Sequence, residues 1–134
     1  MIYFDSDVLI NYFVDQDSAK HAQSIELYQS ATYNGVFCCS FLSLQETAFV
    51  LARLKVESLK IETLIQNMFP HLLANYEIHH FKRAVELARP IGFQNINDCL
   101  HTAIAEEQCD ELYTYNRADF KRIKAYTRLK ITIL

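Results

Sequence analysis

Glycine and proline are scarce, with two of each in 134 residues. So few turn formers argue against an all-β fold built on many tight turns. Neither GxGxxG nor GxxxxGK occurs, which removes the Gly-rich phosphate loops of dinucleotide-binding and P-loop proteins. The four cysteines, Cys38, Cys39, Cys99 and Cys109, form no CxxC pair, and adjacent Cys38-Cys39 is a poor start for a disulfide framework. Their apolar surroundings suit buried, reduced thiols. His79-His80 has no Cys or His at zinc-site spacing, so no structural zinc is expected. No apolar run approaches the roughly 18 residues that suggest a membrane span, and no signal peptide is visible. A soluble, cytoplasmic protein without membrane contact is the expectation.

What remains is a chain that is 51% hydrophobic, long enough for one core. We read residues 1–134 as a single domain. The net charge is −3, so the protein as a whole is no polycation. Its charges are unevenly spread. Residues 1–67 carry 4 Lys/Arg against 8 Asp/Glu, whereas Arg117, Lys121, Arg122, Lys124, Arg128 and Lys130 face only Asp119 in their stretch. A basic segment beside acids suits a phosphate-bearing substrate. A solvated helix face is the plainer explanation.

Short β-rich runs alternate with helical patterns. Met1–Phe4 predicts a buried strand, followed by helices over Val8–Val14 and Ala19–Ala31, the second capped by Asp17 or Ser18. Val36–Cys39 predicts a strand, then a helix to about Leu54 capped by Ser40 or Ser43. Ser58 is the expected cap of the next helix, to Met68. Leu72–Ile78 fits a strand. His80–Arg89 fits a helix stopped by Pro90 and Gly92. Asn97 is the expected cap of Asp98–Gln108. Leu112–Thr114 reads as a strand, Asp119–Lys124 as a helical turn and Lys130–Leu134 as a last strand. This alternation implies a parallel sheet covered on both faces, with ligands at the carboxyl ends of its strands.

Four acids close or open separate apolar segments: Asp5 after the first strand, Glu46 within the apolar run Phe41–Leu51, Asp98 before Cys99–Ala105, and Asp119 after Leu112–Thr114. Each has a plain structural role available. Asp5 could cap a helix, Asp98 could favour a helix dipole, Asp119 could serve a turn, and Glu46 could sit at an exposed edge. Asp7 reads as a dipole-favouring residue. His101, one turn beyond Asp98, is a ligand, a support, a phosphate contact or a partly exposed helix residue. If the fold converges these ends, the acids form a carboxylate pocket that a cation must neutralise, the usual way to hold Mg²⁺ or Mn²⁺ for phosphodiester hydrolysis.

The opening IYFDSDVLINYF, the SLQETAFVL and INDCLHTAIA helices and the LYTYNRADF strand and turn together resemble the PIN-domain ribonucleases, in particular toxins of VapBC-type toxin–antitoxin pairs. The resemblance spans essentially the whole chain. It implies a three-layer α/β/α sandwich with a five-stranded parallel sheet of order 3-2-1-4-5, and a metal-dependent endoribonuclease using Mg²⁺ or Mn²⁺. Asp5, Glu46 and Asp98 match the family's three acids, and Asp119 is the candidate fourth. The sequence departs at Asn116, where many members have Asp, which leaves open one metal or two. Ser6 and Thr114 match hydroxyls that support the acids. On this reading Asp5 and Asp98 are principal metal ligands and Glu46 is a ligand or orients water. Asp119, with Asn116, holds a second metal or a metal-bound water, and Arg117, Lys121 and Arg122 contact RNA phosphates.

Such a toxin would bind a small antitoxin, and exposed apolar helix faces could also serve a homodimer. Asn116 motivates one alternative, a PIN-like module that binds RNA or protein with weakened metal binding. A haloacid-dehalogenase-type phosphatase is the other, with Asp5 as nucleophile and Asp7 as acid. It lacks a placed lysine and a Gly-Asp metal loop.

Overall fold

The computed structural model describes residues 1–134. Five strands form one parallel sheet: β1 (Ile2–Phe4), β2 (Phe37–Ser40), β3 (Leu73–Ala74), β4 (Glu111–Thr114) and β5 (Lys130–Ile133), in the order 3-2-1-4-5. Seven helices cover it: α1 (Ser6–Phe13), α2 (Ser18–Tyr33), α3 (Phe41–Arg53), α4 (Ser58–Gln66), α5 (Ile78–Ile91), α6 (Ile96–Gln108) and α7 (Arg117–Ile123). This is the α/β/α sandwich with the strand order that the resemblance implied.

Strand alternation builds the two sides of the core. Tyr3 pairs in register with Cys38 and Leu112, and Leu112 with Ile131. These four point to one face, against Leu87 of α5, Ile104 of α6 and Phe120 of α7. Phe4, Phe37 and Cys39 point to the other, against Val8 and Leu9 of α1 and Leu44 of α3. Burial on both faces is why the strands are nearly continuous apolar runs. From β1 the chain winds outward through β2 to β3, then returns to place β4 on the other flank of β1. That reversal opens a crevice beyond the carboxyl ends of β1 and β4. Asp5 follows β1 there, and Thr114 ends β4.

Several boundaries differ from the sequence reading. β3 is only two residues long, because Glu77 and His80 form a reciprocal capping box that starts α5 at Ile78. Pro90 lies inside α5 rather than stopping it. So near the end, its missing N–H forfeits one helical bond. Gly92, at φ 110°, ends the helix. Ser58 is the first residue of α4 and Glu57 its cap. Asn95, not Asn97, precedes α6, because a 3₁₀ turn over Phe93–Asn95 leads into it. Asp17 and Ser40 do cap α2 and α3 with their side chains. No helix is long and apolar enough to cross a membrane.

Candidate metal centre

Asp5 is the most confined of the acids, with 3% of its surface exposed. Its Oδ1 accepts from the Ser6 amide at 2.7 Å and lies 3.4 Å from the Ser6 hydroxyl. Its Oδ2 accepts from the Thr114 hydroxyl at 2.8 Å. The first residue of α1 and the last of β4 thus hold one carboxylate between them.

Glu46 reaches the same place from α3. Its Oε2 lies 2.8 Å from Nε2 of His101, and its Oε1 accepts from the Asn97 amide at 3.3 Å. Burial opposes its charge, but the His101 and Asn97 contacts hold its carboxyl below the usual range. His101 is buried, contrary to the partly exposed position that was the plain expectation. Its Nε2 also lies 3.7 Å from Asp5 Oδ1. Its Nδ1 sits 2.7 Å from the Tyr3 hydroxyl, which in turn is 2.5 Å from Ser40 Oγ and 3.0 Å from Ser43 Oγ. Burial would lower the His101 imidazolium, yet Asp5 and Glu46 beside it raise it above its ordinary value.

Asp98 and Asp119 form an outer pair. The Asn116 amide donates to both, at 3.2 Å to Asp98 Oδ2 and 3.0 Å to Asp119 Oδ2. Its Oδ1 accepts from the Asp119 amide and caps α7. Burial and the charge of Asp5 push the Asp98 carboxyl up to about 7. The Asn116 and Arg122 contacts hold Asp119 below its usual value, against a small burial effect.

Of the three basic residues expected at phosphates, Arg122 is engaged within the protein, donating to Asp119 Oδ1 at 2.9 Å, Ile91 O at 3.1 Å and Asn95 Oδ1 at 3.3 Å. Arg117 and Lys121 are exposed on α7.

The sequence reading undervalued Asp7. Its Oδ2 accepts from the Tyr115 amide at 2.9 Å and lies 3.1 Å from the Thr114 hydroxyl, the same hydroxyl that serves Asp5. Its Oδ1 is buried with no partner. Burial and then Asp5 push this carboxyl up to about 7. The signal was the Asp-Ser-Asp repeat at the end of a largely buried strand, which puts two carboxyls in one confined space.

One hydroxyl proton cannot serve two carboxylates at once, so Asp5 and Asp7 compete for the Thr114 hydroxyl. Asp5, Glu46 and His101 each offer a ligand atom, all within 4.8 Å of one another. This donor set of two carboxylates and an imidazole fits a divalent cation.

A second cluster, His79, His80 and Glu107, also has its ligand atoms within 4.8 Å of one another. There the His80 Nδ1 accepts from the Glu77 amide at 2.9 Å. An amide can only donate, so the neutral ring carries its proton on Nε2, where it faces Glu107. That nitrogen has no lone pair to offer a metal. The cluster ties α5 to α6 as a charge-assisted contact.

The model of the PIN domain family matches residues 2–126. A comparison with curated proteins finds no match. Among solved structures, the chain is similar to VapC20 of Mycobacterium tuberculosis, described as a toxin that cleaves the sarcin–ricin loop. Identity is 16%, the TM-score is 0.75, and the match covers 94% of this chain and 95% of that one. It is also similar to VapBC2 of Rickettsia felis, solved bound to a DNA fragment of its promoter. There identity is 19%, the TM-score is 0.69, and coverage is 100% and 99%. At these identities the likeness is one of fold.

Proposed function

From this chain's membership of the PIN-domain family, we propose that it is a metal-dependent endoribonuclease, acting in the cytoplasm as the toxin of a toxin–antitoxin pair, with residues 1–134 as one functional domain. The observation that carries this reading is the convergence of Asp5, Glu46 and His101, from three separate elements, to within 4.8 Å at the crevice where the sheet reverses. Mg²⁺ or Mn²⁺ is the expected ion. A divalent ion held there supplies a Lewis acid for a phosphate oxygen and makes water a stronger nucleophile.

The chain's residues divide the remaining work. Asp5 presents a carboxylate whose two oxygens are held separately by Ser6 and Thr114, so it does not rotate. Glu46 is aimed by His101 and Asn97. Asp98, the other principal ligand in the sequence reading, lies outside the Asp5–Glu46–His101 group; joined to Asp119 through Asn116, it lines the outer rim. Arg122 fastens α7 to the ends of α5 and α6 and so positions Arg117 and Lys121 beside an incoming phosphate backbone. Pre-set geometry of this kind lowers the ordering cost of reaction. Water attack needs no 2′-hydroxyl nucleophile.

The PIN family match displaces the phosphatase alternative. The binding-module alternative keeps one specific support, the Asn116 amide that sits between Asp98 and Asp119 in place of an acid. A small antitoxin is the proposed partner, since one structural neighbour is a VapBC2 assembly. The exposed Phe49, Leu59 and Phe69 of the α3–α4 region offer it, or a second copy, an apolar contact.

The test is cleavage of end-labelled RNA by antitoxin-free protein, with Mn²⁺ or Mg²⁺ against EDTA, beside Asp5→Asn. Cleavage that needs both the ion and Asp5 is expected. Intact RNA together with no detectable metal binding would favour the binding module instead.

A further inference from the structure

We propose that His101 is itself a metal ligand, so that Asp5, Glu46 and His101 hold a first-row transition dication in preference to Mg²⁺; this rests on the metal-dependent reading above. The separations fall a few tenths of an ångström to either side of what one ion requires. His101 Nε2 is 2.8 Å from Glu46 Oε2 and 3.7 Å from Asp5 Oδ1. Donors bound to one ion at 2.0–2.2 Å lie about 3–3.5 Å apart. The imidazole is 1% exposed, so no solvent competes for that nitrogen from behind.

The other nitrogen decides whether Nε2 can bind. Nδ1 meets a hydroxyl, that of Tyr3, which both accepts and donates. Nδ1–H can therefore donate to Tyr3, Tyr3 to Ser40 Oγ or Ser43 Oγ, and Ser43 onward to the Phe4 carbonyl at 3.4 Å. Every donor in that chain has a buried acceptor, and Nε2 keeps its lone pair for the ion. The ion takes the place of the proton that otherwise joins Nε2 to Glu46. A ring nitrogen tied to a buried partner is the usual support of a metal-bound histidine, because it sets both the tautomer and the ring angle.

The donor set then selects the ion. Imidazole nitrogen suits Zn²⁺, Co²⁺, Ni²⁺ and Fe²⁺, whereas Mg²⁺ prefers an all-oxygen octahedron and keeps its waters. A purely carboxylate crevice would have little such preference. One buried nitrogen among the oxygens changes that.

The experiment titrates chelator-stripped protein with Co²⁺ and with Mg²⁺ by calorimetry, and records the Co²⁺-shifted proton resonances. Wild type is expected to bind Co²⁺ about 100-fold tighter than Mg²⁺. It should also show one shifted, exchangeable imidazole Nδ1–H signal. His101→Gln should lose about 100-fold in Co²⁺ affinity with Mg²⁺ nearly unchanged, and Tyr3→Phe should lose about 10-fold. Equal Co²⁺ binding by wild type and a folded His101→Gln would overturn the proposal and leave the nuclease reading standing. No binding of either ion would overturn both. If His101→Gln does not fold, the Nδ1–H signal of the wild type decides: its presence supports the ligand and its absence refutes it.

Discussion

Two clusters in this molecule set histidine beside glutamate, and they are built for different work. At the crevice, Glu46 faces His101, whose far nitrogen meets the Tyr3 hydroxyl. On the outer face of α5 and α6, Glu107 faces His80, whose far nitrogen meets the Glu77 amide. A hydroxyl can take or give a proton, so His101 can free its near nitrogen. An amide only gives, so His80 cannot. Counting donors within reach would rate the clusters equally, at three each. The partner on the far side of each ring separates them, and that partner is a matter of fold.

The largest break in the comparison comes from the carboxylates themselves. Glu46→Gln should lower the rate of RNA cleavage by about 100-fold or more, since it removes a charge from the ion's neighbourhood. Glu107→Gln, the matching change in the other cluster, should leave cleavage unchanged. Both are read as initial rates on one labelled RNA.

Next in size is the cost of crowding acids. The Asp98 carboxyl is pushed up to about 7 by burial and by Asp5. A raised carboxyl favours folding only while protonated, so its charge erodes stability as pH rises from about 4 through 7. In EDTA, Asp98→Asn should therefore raise the melting temperature by several degrees at pH 8, and the gain should vanish near pH 4. An equal gain at both values would mean that packing, not charge, is responsible.

A smaller effect tests the support behind His101. Ser40 caps α3 through the Ser43 amide at 3.0 Å and also touches Tyr3. Ser40→Ala should cost about 1–2 kcal/mol in urea unfolding. It should also weaken metal binding, which an ordinary cap mutation elsewhere, such as Asp17→Ala at α2, should not.

The smallest concerns the outer face. Arg83 donates twice to Glu106, at 2.8 and 2.9 Å. Burial opposes the Glu106 charge, but Arg83 and Thr127 hold its carboxyl below the ordinary range. A lowered carboxyl stabilises the fold above its unfolded value and loses that contribution as pH falls through the folded one. Because both side chains are partly exposed, Glu106→Gln should cost less than about 1 kcal/mol at pH 7 and nothing near pH 3.

The sequence reveals those parts of the site whose signal is local. Asp5 and Thr114 are legible because they end apolar strands, and Glu46 because a lone acid in an apolar helix needs an explanation. The role of His101 is not legible by spacing, because α6 is buried from Cys99 through Ala105 and its face toward the crevice emerges only on packing. The run Cys-Leu-His-Thr-Ala-Ile-Ala did carry a hint, since a helix apolar on all sides is a central one. Asp7 was hidden by its plausible role at a helix start. The short β3 was hidden because the Glu77–His80 capping box involves a histidine, which is an uncommon cap partner. Tyr3 gives no sign in sequence that its hydroxyl matters. Its partners Ser40, Ser43 and His101 lie 37, 40 and 98 residues away.

The most direct test is anomalous diffraction from crystals soaked in Mn²⁺ or Co²⁺, recorded at the absorption edge of each ion. The account predicts a peak bounded by Asp5, Glu46 and His101 and none at His79, His80 and Glu107. A peak at the outer cluster, or one bounded by Asp98 and Asp119 without His101, would contradict it.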